Sequence, residues 1–219
     1  MELLIMSKAR RKEKEREMRR NEIVDAAEKL FFSRGYENVK MEDIARELEM
    51  ARATLYLSFK NKEDIYAAIA IRASNIVREM FQELNHKDLT GIEKIRYVAT
   101  TYHEFYKKYT GYYMAYYHSG MFDYQNSPDL EELRRIRIGS FRMVVEAVRE
   151  GIKDGSVRND IDPVATTLVM LSMSNNALAI SPVTKMYMEN YGLNQDELYE
   201  RTVDMMLQSI ENLEQARRN

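Results

Sequence analysis

Arg52, Thr54, Tyr56 and Lys60 form the most informative polar cluster of the chain. They sit in the stretch ARATLYLSFK, where Leu55 and Phe59 are four residues apart. A helix there buries Leu55 and Phe59 on one side and turns the four polar side chains elsewhere. Upstream, Met41, Ile44, Ala45 and Leu48 recur at i, i+3, i+4 and i+7, with a break at Glu49-Met50. Two short helices joined by a tight turn, the second with a polar outer face, describe a helix-turn-helix. The second helix of such a unit fits the major groove of duplex DNA.

A second concentration of chemistry lies at residues 102–124, which hold eight of the fifteen tyrosines. Tyr102, Tyr106, Tyr109, Tyr113 and Tyr117 step by four, three, four and four, one helical stripe if Gly111 does not break it. Such a stripe serves either as core or as the lining of a cavity. Each buried hydroxyl needs a partner or costs about 1–3 kcal/mol, a cost that Phe or Leu would avoid. The surplus of hydroxyls therefore favours a partly hydrated ligand cavity built from Tyr102, Phe105, Tyr106, Tyr109, Tyr113, Met114, Tyr117 and Met121. Tyrosine faces attract cations, so a bulky aromatic, lipophilic or cationic ligand fits; Arg134, Arg135, Arg137 and Arg142 leave room for an anion.

Other chemistries find no residues. There is no Cys, hence no disulfide framework and no thiolate. His103-Glu104 opens like a zinc-protease motif, but Lys107 stands where the second His belongs. No nucleophile–base pair or phosphate-cradling glycine loop is present, so we expect no enzyme, metal or cofactor. The net charge is −2, yet residues 7–20 carry eight basic side chains (Lys8, Arg10, Arg11, Lys12, Lys14, Arg16, Arg19, Arg20) against Glu13, Glu15 and Glu17. That segment reads equally as a solvated helical extension and as an arm or extended first helix that meets phosphate.

The elements that must position these groups are helical throughout. Eight Gly and three Pro punctuate little, which favours long helices over many short strands. Ile23, Ala26, Ala27, Leu30 and Phe31 mark a first helix that ends at Gly35. Asn61 and Asp64 cap a helix running from Lys62 to about Leu84, and another starts at Ile92. Ser127-Pro128 opens a long helix ending near Gly151. Two last helices are expected at Val164–Ile180, opened by Asp162-Pro163, and at Gln195–Leu213, capped by Asn194. The 164–180 run is interrupted by Thr, Ser and Asn and reads as a buried helix, so no membrane span and a cytoplasmic location are expected.

Ile23, Ala26-Ala27, Leu30-Phe31, Gly35-Tyr36, Asp43-Ile44-Ala45, Thr54-Leu55-Tyr56, Phe59 and Lys62-Glu63 together resemble the DNA-binding domain of TetR-type transcriptional regulators. The resemblance implies an all-α chain: an N-terminal three-helix helix-turn-helix domain at 1–66 and a C-terminal helical ligand-binding and dimerisation domain at 67–219. It implies double-stranded operator DNA and a small-molecule effector as partners, with a homodimer through the last two helices. On these positions Arg52, Ala53 and Thr54 face base edges, while Lys40, Tyr56 and Lys62 hold the DNA backbone. Tyr56 has a competing role in the core. The function implied is a ligand-responsive regulator, a repressor released by a bulky hydrophobic or aromatic effector; the alternative is a helical dimer that has lost specific DNA binding.

Departures from the family pattern bear on that alternative. Lys40 stands where a Thr commonly caps the second helix, and an ammonium cannot accept a bond from a backbone N–H. Glu49 takes the usual turn Gly, a strain of about 1 kcal/mol. Ala51 replaces a capping Ser at a further cost of about 1 kcal/mol, and Ala53 replaces a common Gly.

Overall fold

The computed structural model describes the backbone of residues 2–82, 88–121 and 127–212, and the side chains of 10–82, 88–120 and 127–212. Among them are ten α-helices and no β-strand: α1 (Glu2–Arg34), α2 (Met41–Glu47), α3 (Arg52–Ser58), α4 (Lys62–Gln82), α5 (Gly91–Lys108), α6 (Thr110–His118), α7 (Pro128–Asp154), α8 (Pro163–Leu178), α9 (Pro182–Tyr191) and α10 (Gln195–Ile210). Expected boundaries at Leu84 and Leu213 lie outside the described residues.

The chain packs as two units that interleave along the sequence: Met1–Ser74 with Gly111–Arg135, and Asn75–Thr110 with Ile136–Asn219. In the first, Ile23, Ala27, Leu30 and Phe31 of α1 join Ile44, Ala45, Leu55, Phe59, Ile65 and Ile69 in one apolar core, which Ala115 of α6 completes. Gly35, at φ 80°, ends α1 in backbone that L side chains avoid. Tyr36 then packs on Phe31 (5.4 Å) and Tyr66 (4.5 Å), and burial pushes the Tyr66 phenol up to about 12. Tyr112 of α6 donates to Glu28 at 2.8 Å, and Arg72 of α4 reaches the same carboxylate at 3.2 Å and Asp25 at 2.6 Å. This network ties α6 to α1 and α4.

In the second unit, α5 opens with a capping box between Thr90 and Glu93 and buries Ile95, Thr101, His103 and Phe105. Val157 and Glu211 form an isolated bridge, so the connection after α7 meets the end of α10. Tyr199 of α10, 1% exposed, donates to the Ala99 carbonyl at 3.0 Å.

Two elements differ from the sequence reading. The aromatic stripe is broken at Tyr109, not at Gly111: Tyr109 caps α5 at φ −130°, ψ 47°, and α6 starts anew at Thr110. The segment after α8 holds a helix that the apolar periodicity does not mark. Ser181 caps α9 by accepting from Thr184 N at 3.1 Å, with Pro182 in its first turn and Gly192 (φ 69°) at its end. No single helix among the described residues is long and apolar enough to cross a membrane; α8 and α9 pass that test only as a pair bent by 70°.

Candidate nucleic-acid interface

The helix-turn-helix is α2, the turn at Leu48–Ala51, and α3. Met50 N donates to Ala45 O at 2.9 Å, which closes the turn. Glu49 sits at φ 49°, the one non-glycine residue with positive φ among those described. Local hydrogen bonding therefore holds a side chain where glycine would sit with less strain.

Leu55, fully buried, and Phe59, 2% exposed, anchor α3 to the core. With those two inward, Arg52, Ala53 and Tyr56 are exposed and Thr54 is half-buried. Tyr56 is 48% exposed, which leaves its ring available outside the core. Ala51 precedes the helix at φ −64°, ψ 138° and supplies no side-chain cap. Arg52 Nη1 lies 3.2 Å from Glu42 Oε1 of α2, an exposed pair that positions the guanidinium without burying it.

Lys40 precedes α2 with an exposed side chain. Its ammonium gives no cap, so only the reciprocal half of a capping box forms: Lys40 N donates to Asp43 Oδ2 at 2.9 Å. That bond, aided by Arg46, holds the Asp43 carboxyl below the usual range. Lys62, at the start of α4, donates to the Tyr36 carbonyl at 2.9 Å and lies 3.9 Å over its ring. These two contacts fix the ammonium at the start of α4 and use one of its three donors.

Leu57 is a residue that sequence reasoning missed. It is 81% exposed, more than any other large apolar side chain among the described residues, and it lies on α3 beside Tyr56. Its position two after Leu55, off the buried face, was the available signal. An apolar side chain on a helix in the major groove can meet a thymine methyl.

The expected ligand residues divide between the units. Tyr102, Phe105, Tyr106 and Tyr109 belong to the second; Tyr113, Met114 and Tyr117 belong to the first, and the side chain of Met121 lies outside the described residues. Phe105 and Tyr113 are fully buried, whereas Met114 is 37% exposed. Tyr102 donates to Asn175 Oδ1 at 3.3 Å and Tyr106 to Gln195 Oε1 at 3.1 Å, so these hydroxyls join α5 to α8 and α10. Tyr113 and Tyr117 stack at 6.0 Å. A cavity of about 400 Å³ in the second unit is lined by Thr90, Glu93, Arg96, Asp154, Leu207 and Glu211 among others, and by none of the expected ligand residues whose side chains are described. His103 lies 3.0 Å from Asp196 and stacks on Tyr199 at 4.4 Å. Among the described residues no group of three His, Asp or Glu side chains is arranged to hold a metal.

Comparison with known proteins matches residues 23–69 to the family described as "Bacterial regulatory proteins, tetR family". The biofilm operon icaADBC HTH-type negative transcriptional regulator IcaR of Staphylococcus epidermidis is 31% identical over 74 residues, 34% of this chain and 40% of that protein. The fatty acid metabolism regulator protein of Bacillus subtilis is 24% identical over 143 residues, 64% of this chain and 72% of that one. The chain thus spans well under half of the staphylococcal regulators it matches, at 35% and 40% of their length. Among solved structures, FadR from Bacillus subtilis in complex with stearoyl-CoA shares the fold, with a TM-score of 0.62 at 20% identity over 85% of this chain and 96% of that one. Residues 23–69 thus match the tetR family of bacterial regulatory proteins, and the chain as a whole shares the all-helical fold of FadR from Bacillus subtilis.

Proposed function

We propose that the chain is a ligand-responsive, homodimeric, cytoplasmic transcriptional regulator, a repressor that leaves its operator when a bulky hydrophobic or aromatic effector binds. One observation carries the DNA-binding reading. Leu55 and Phe59 pin a seven-residue helix to the core, so that Arg52, Ala53, Tyr56 and Leu57 stand exposed together. Arg52 and Thr54 read base edges, with Ala53 against a thymine methyl; Tyr56, Lys40 and Lys62 hold phosphates. Residues 1–66 are the reading part and residues 67–219 the ligand and dimer part, with α6 completing the core of the former.

Pairing of two copies through α8 and α10 is supported by exposed apolar side chains there: Val164, Leu168 and Val169 on α8, and Met205 on α10. Two reading helices about 34 Å apart address successive major grooves, whereas one alone binds weakly. Release requires an effector with different affinities for the DNA-competent and DNA-incompetent spacings of the two heads. The Bacillus subtilis structure holds stearoyl-CoA, and an acyl-CoA is accordingly the first effector to try here. Within the second unit, Arg137 and Arg142 of α7 supply cations for its anionic end, and Tyr102 and Tyr106 supply amphipathic rings for its chain.

The test is an operator selection from genomic fragments, followed by titration of the selected duplex with and without stearoyl-CoA. A specific site protected by a dimer, and released by the thioester, is the expected result. Binding without release would remove the effector assignment alone. No binding to any duplex at low salt would leave a helical dimer without DNA recognition.

A further inference from the structure

The first helix is longer than the DNA-reading domain needs. The matched family segment begins at residue 23, yet α1 begins at Glu2 and runs unbroken to Arg34. Residues 10–19 are exposed, while Ile23, Val24 and Ala27 farther along the same helix are buried in the core. Hence the exposed turns leave the core in a fixed direction.

Arg20 sets that direction. Its guanidinium donates to the Ser58 carbonyl at 3.1 Å and lies 4.0 Å over the Phe59 ring, so it closes the C-terminal end of α3. It also pairs with Asp129 at the start of α7. Lys12, Arg16 and Arg19 fall with Arg20 on one stripe roughly 100° wide at the helical period. Of the other cations between residues 10 and 20, Arg10, Arg11 and Lys14 lie on the opposite side, where Arg11 pairs with Glu15. Among the described residues Lys12, Arg16 and Arg19 make no ion pair. They advance along the axis by about 6 and 4.5 Å. A rigid row of unpaired cations therefore departs from the end of α3.

We propose that this N-terminal part of α1 is a second DNA-contacting element, in which Lys12, Arg16 and Arg19 lie along phosphates flanking the groove that α3 enters. The proposal rests on the regulator reading above. The row carries no base-reading geometry; its contribution is affinity, shared by all sequences, and a longer footprint on each side of the operator.

The experiment is a salt series on the full chain with a fluorescein-labelled random-sequence duplex over roughly 50–200 mM KCl. Two triple variants of equal charge change are compared with the parent: Lys12→Gln/Arg16→Gln/Arg19→Gln on the stripe and Arg10→Gln/Arg11→Gln/Lys14→Gln opposite it. The stripe variant should lower the slope of log K against log salt by about 2–3, at about 0.9 for each phosphate no longer neutralised, and the opposite variant should keep the parental slope. A charge-keeping variant, Lys12→Arg/Arg16→Lys/Arg19→Lys, should restore it, and matched thermal unfolding shows that the fold is intact. An unchanged slope in the stripe variant overturns the proposal while leaving the regulator reading in place. Equal losses in both triple variants overturn it too, since bulk charge would then explain them. Loss of binding to phosphatidylglycerol vesicles with the DNA slope unchanged would assign the stripe to a membrane surface and overturn it. A parent chain that binds no duplex at the lowest salt defeats the regulator reading first and this proposal with it.

Discussion

Gly91 and Gly151 meet where the start of α5 crosses the end of α7: a Cβ added at Gly91 would lie 2.1 Å from Gly151 N and 2.6 Å from Ala147 O. Backbone cannot yield as a side chain can, so Gly91→Ala should cost about 2–3 kcal/mol by overpacking. Gly139, inside α7, has nothing within 4 Å of an added Cβ. There the same substitution should stabilise by about 0.5–1 kcal/mol through helix propensity. Urea midpoints of the two variants should move in opposite directions.

The turn of the helix-turn-helix is less stable than it could be. Glu49 at φ 49° and the uncapped Ala51 are independent defects separated by one residue. Glu49→Gly and Ala51→Ser should each raise the unfolding free energy by about 1 kcal/mol. A lower urea midpoint for Glu49→Gly would show that this turn is already relaxed with glutamate in place.

Arg52 tests base reading. Arg52→Ala should cost about 1–3 kcal/mol on the selected operator and relax preference at one base pair, with random-sequence binding largely retained. Glu42→Gln, which removes the carboxylate beside Arg52, should strengthen binding to any duplex. Uniform weakening across all sequences by Arg52→Ala would reassign the guanidinium to phosphate. Fluorescence anisotropy on a panel of single-base operator variants measures both.

His103 gives the second unit a pH dependence. Burial outweighs the attraction of Asp196 and holds the imidazole below its ordinary value, with Lys107 adding in the same direction and Glu200 opposing. A depressed folded value means that the unfolded chain binds the proton more readily. Stability is therefore full above about pH 6.5 and falls as pH drops through the unfolded value. Asp196, held low chiefly by its hydrogen bond to Lys107, contributes in a separate window near the carboxylate range. His103→Phe keeps a ring against Tyr199 and should flatten the unfolding midpoint between pH 7 and pH 5. An equally steep decline in that variant would place the titrating group elsewhere.

How much of the fold is readable from residues alone depends on the range of the forces involved. Met41, Ile44, Ala45 and Leu48, then Leu55 and Phe59, are local periodicities, and α2 and α3 follow them closely. The caps at Asp162 and Asn194 are legible for the same reason. The ends of α9 carry equally local signals in Ser181-Pro182 and Gly192. Of its apolar residues Met188 alone is buried, while Val183, Met186, Tyr187 and Tyr191 are exposed, so no buried stripe marks it. The break at Tyr109 has no local cue. The residues after it answer to distant partners: Gly111 lies where a Cβ would meet the Phe32 ring at 2.6 Å, and Tyr112 binds Glu28. Such pairings between remote parts of the chain leave no periodic trace.

The contribution of α6 to the first unit limits how the protein can be taken apart. Ala115 is fully buried in the N-terminal core, and Tyr112 sits edge-on to Phe32 at 5.2 Å. A head cut after α4 and grafted onto a foreign body would keep every residue of the proposed DNA-reading surface, yet it would strip Tyr112 from the already exposed Phe32 and leave Glu28 without its phenol. Chimaeras between this chain and its relatives should therefore be spliced as two segments, so that the donor's sixth helix travels with its first.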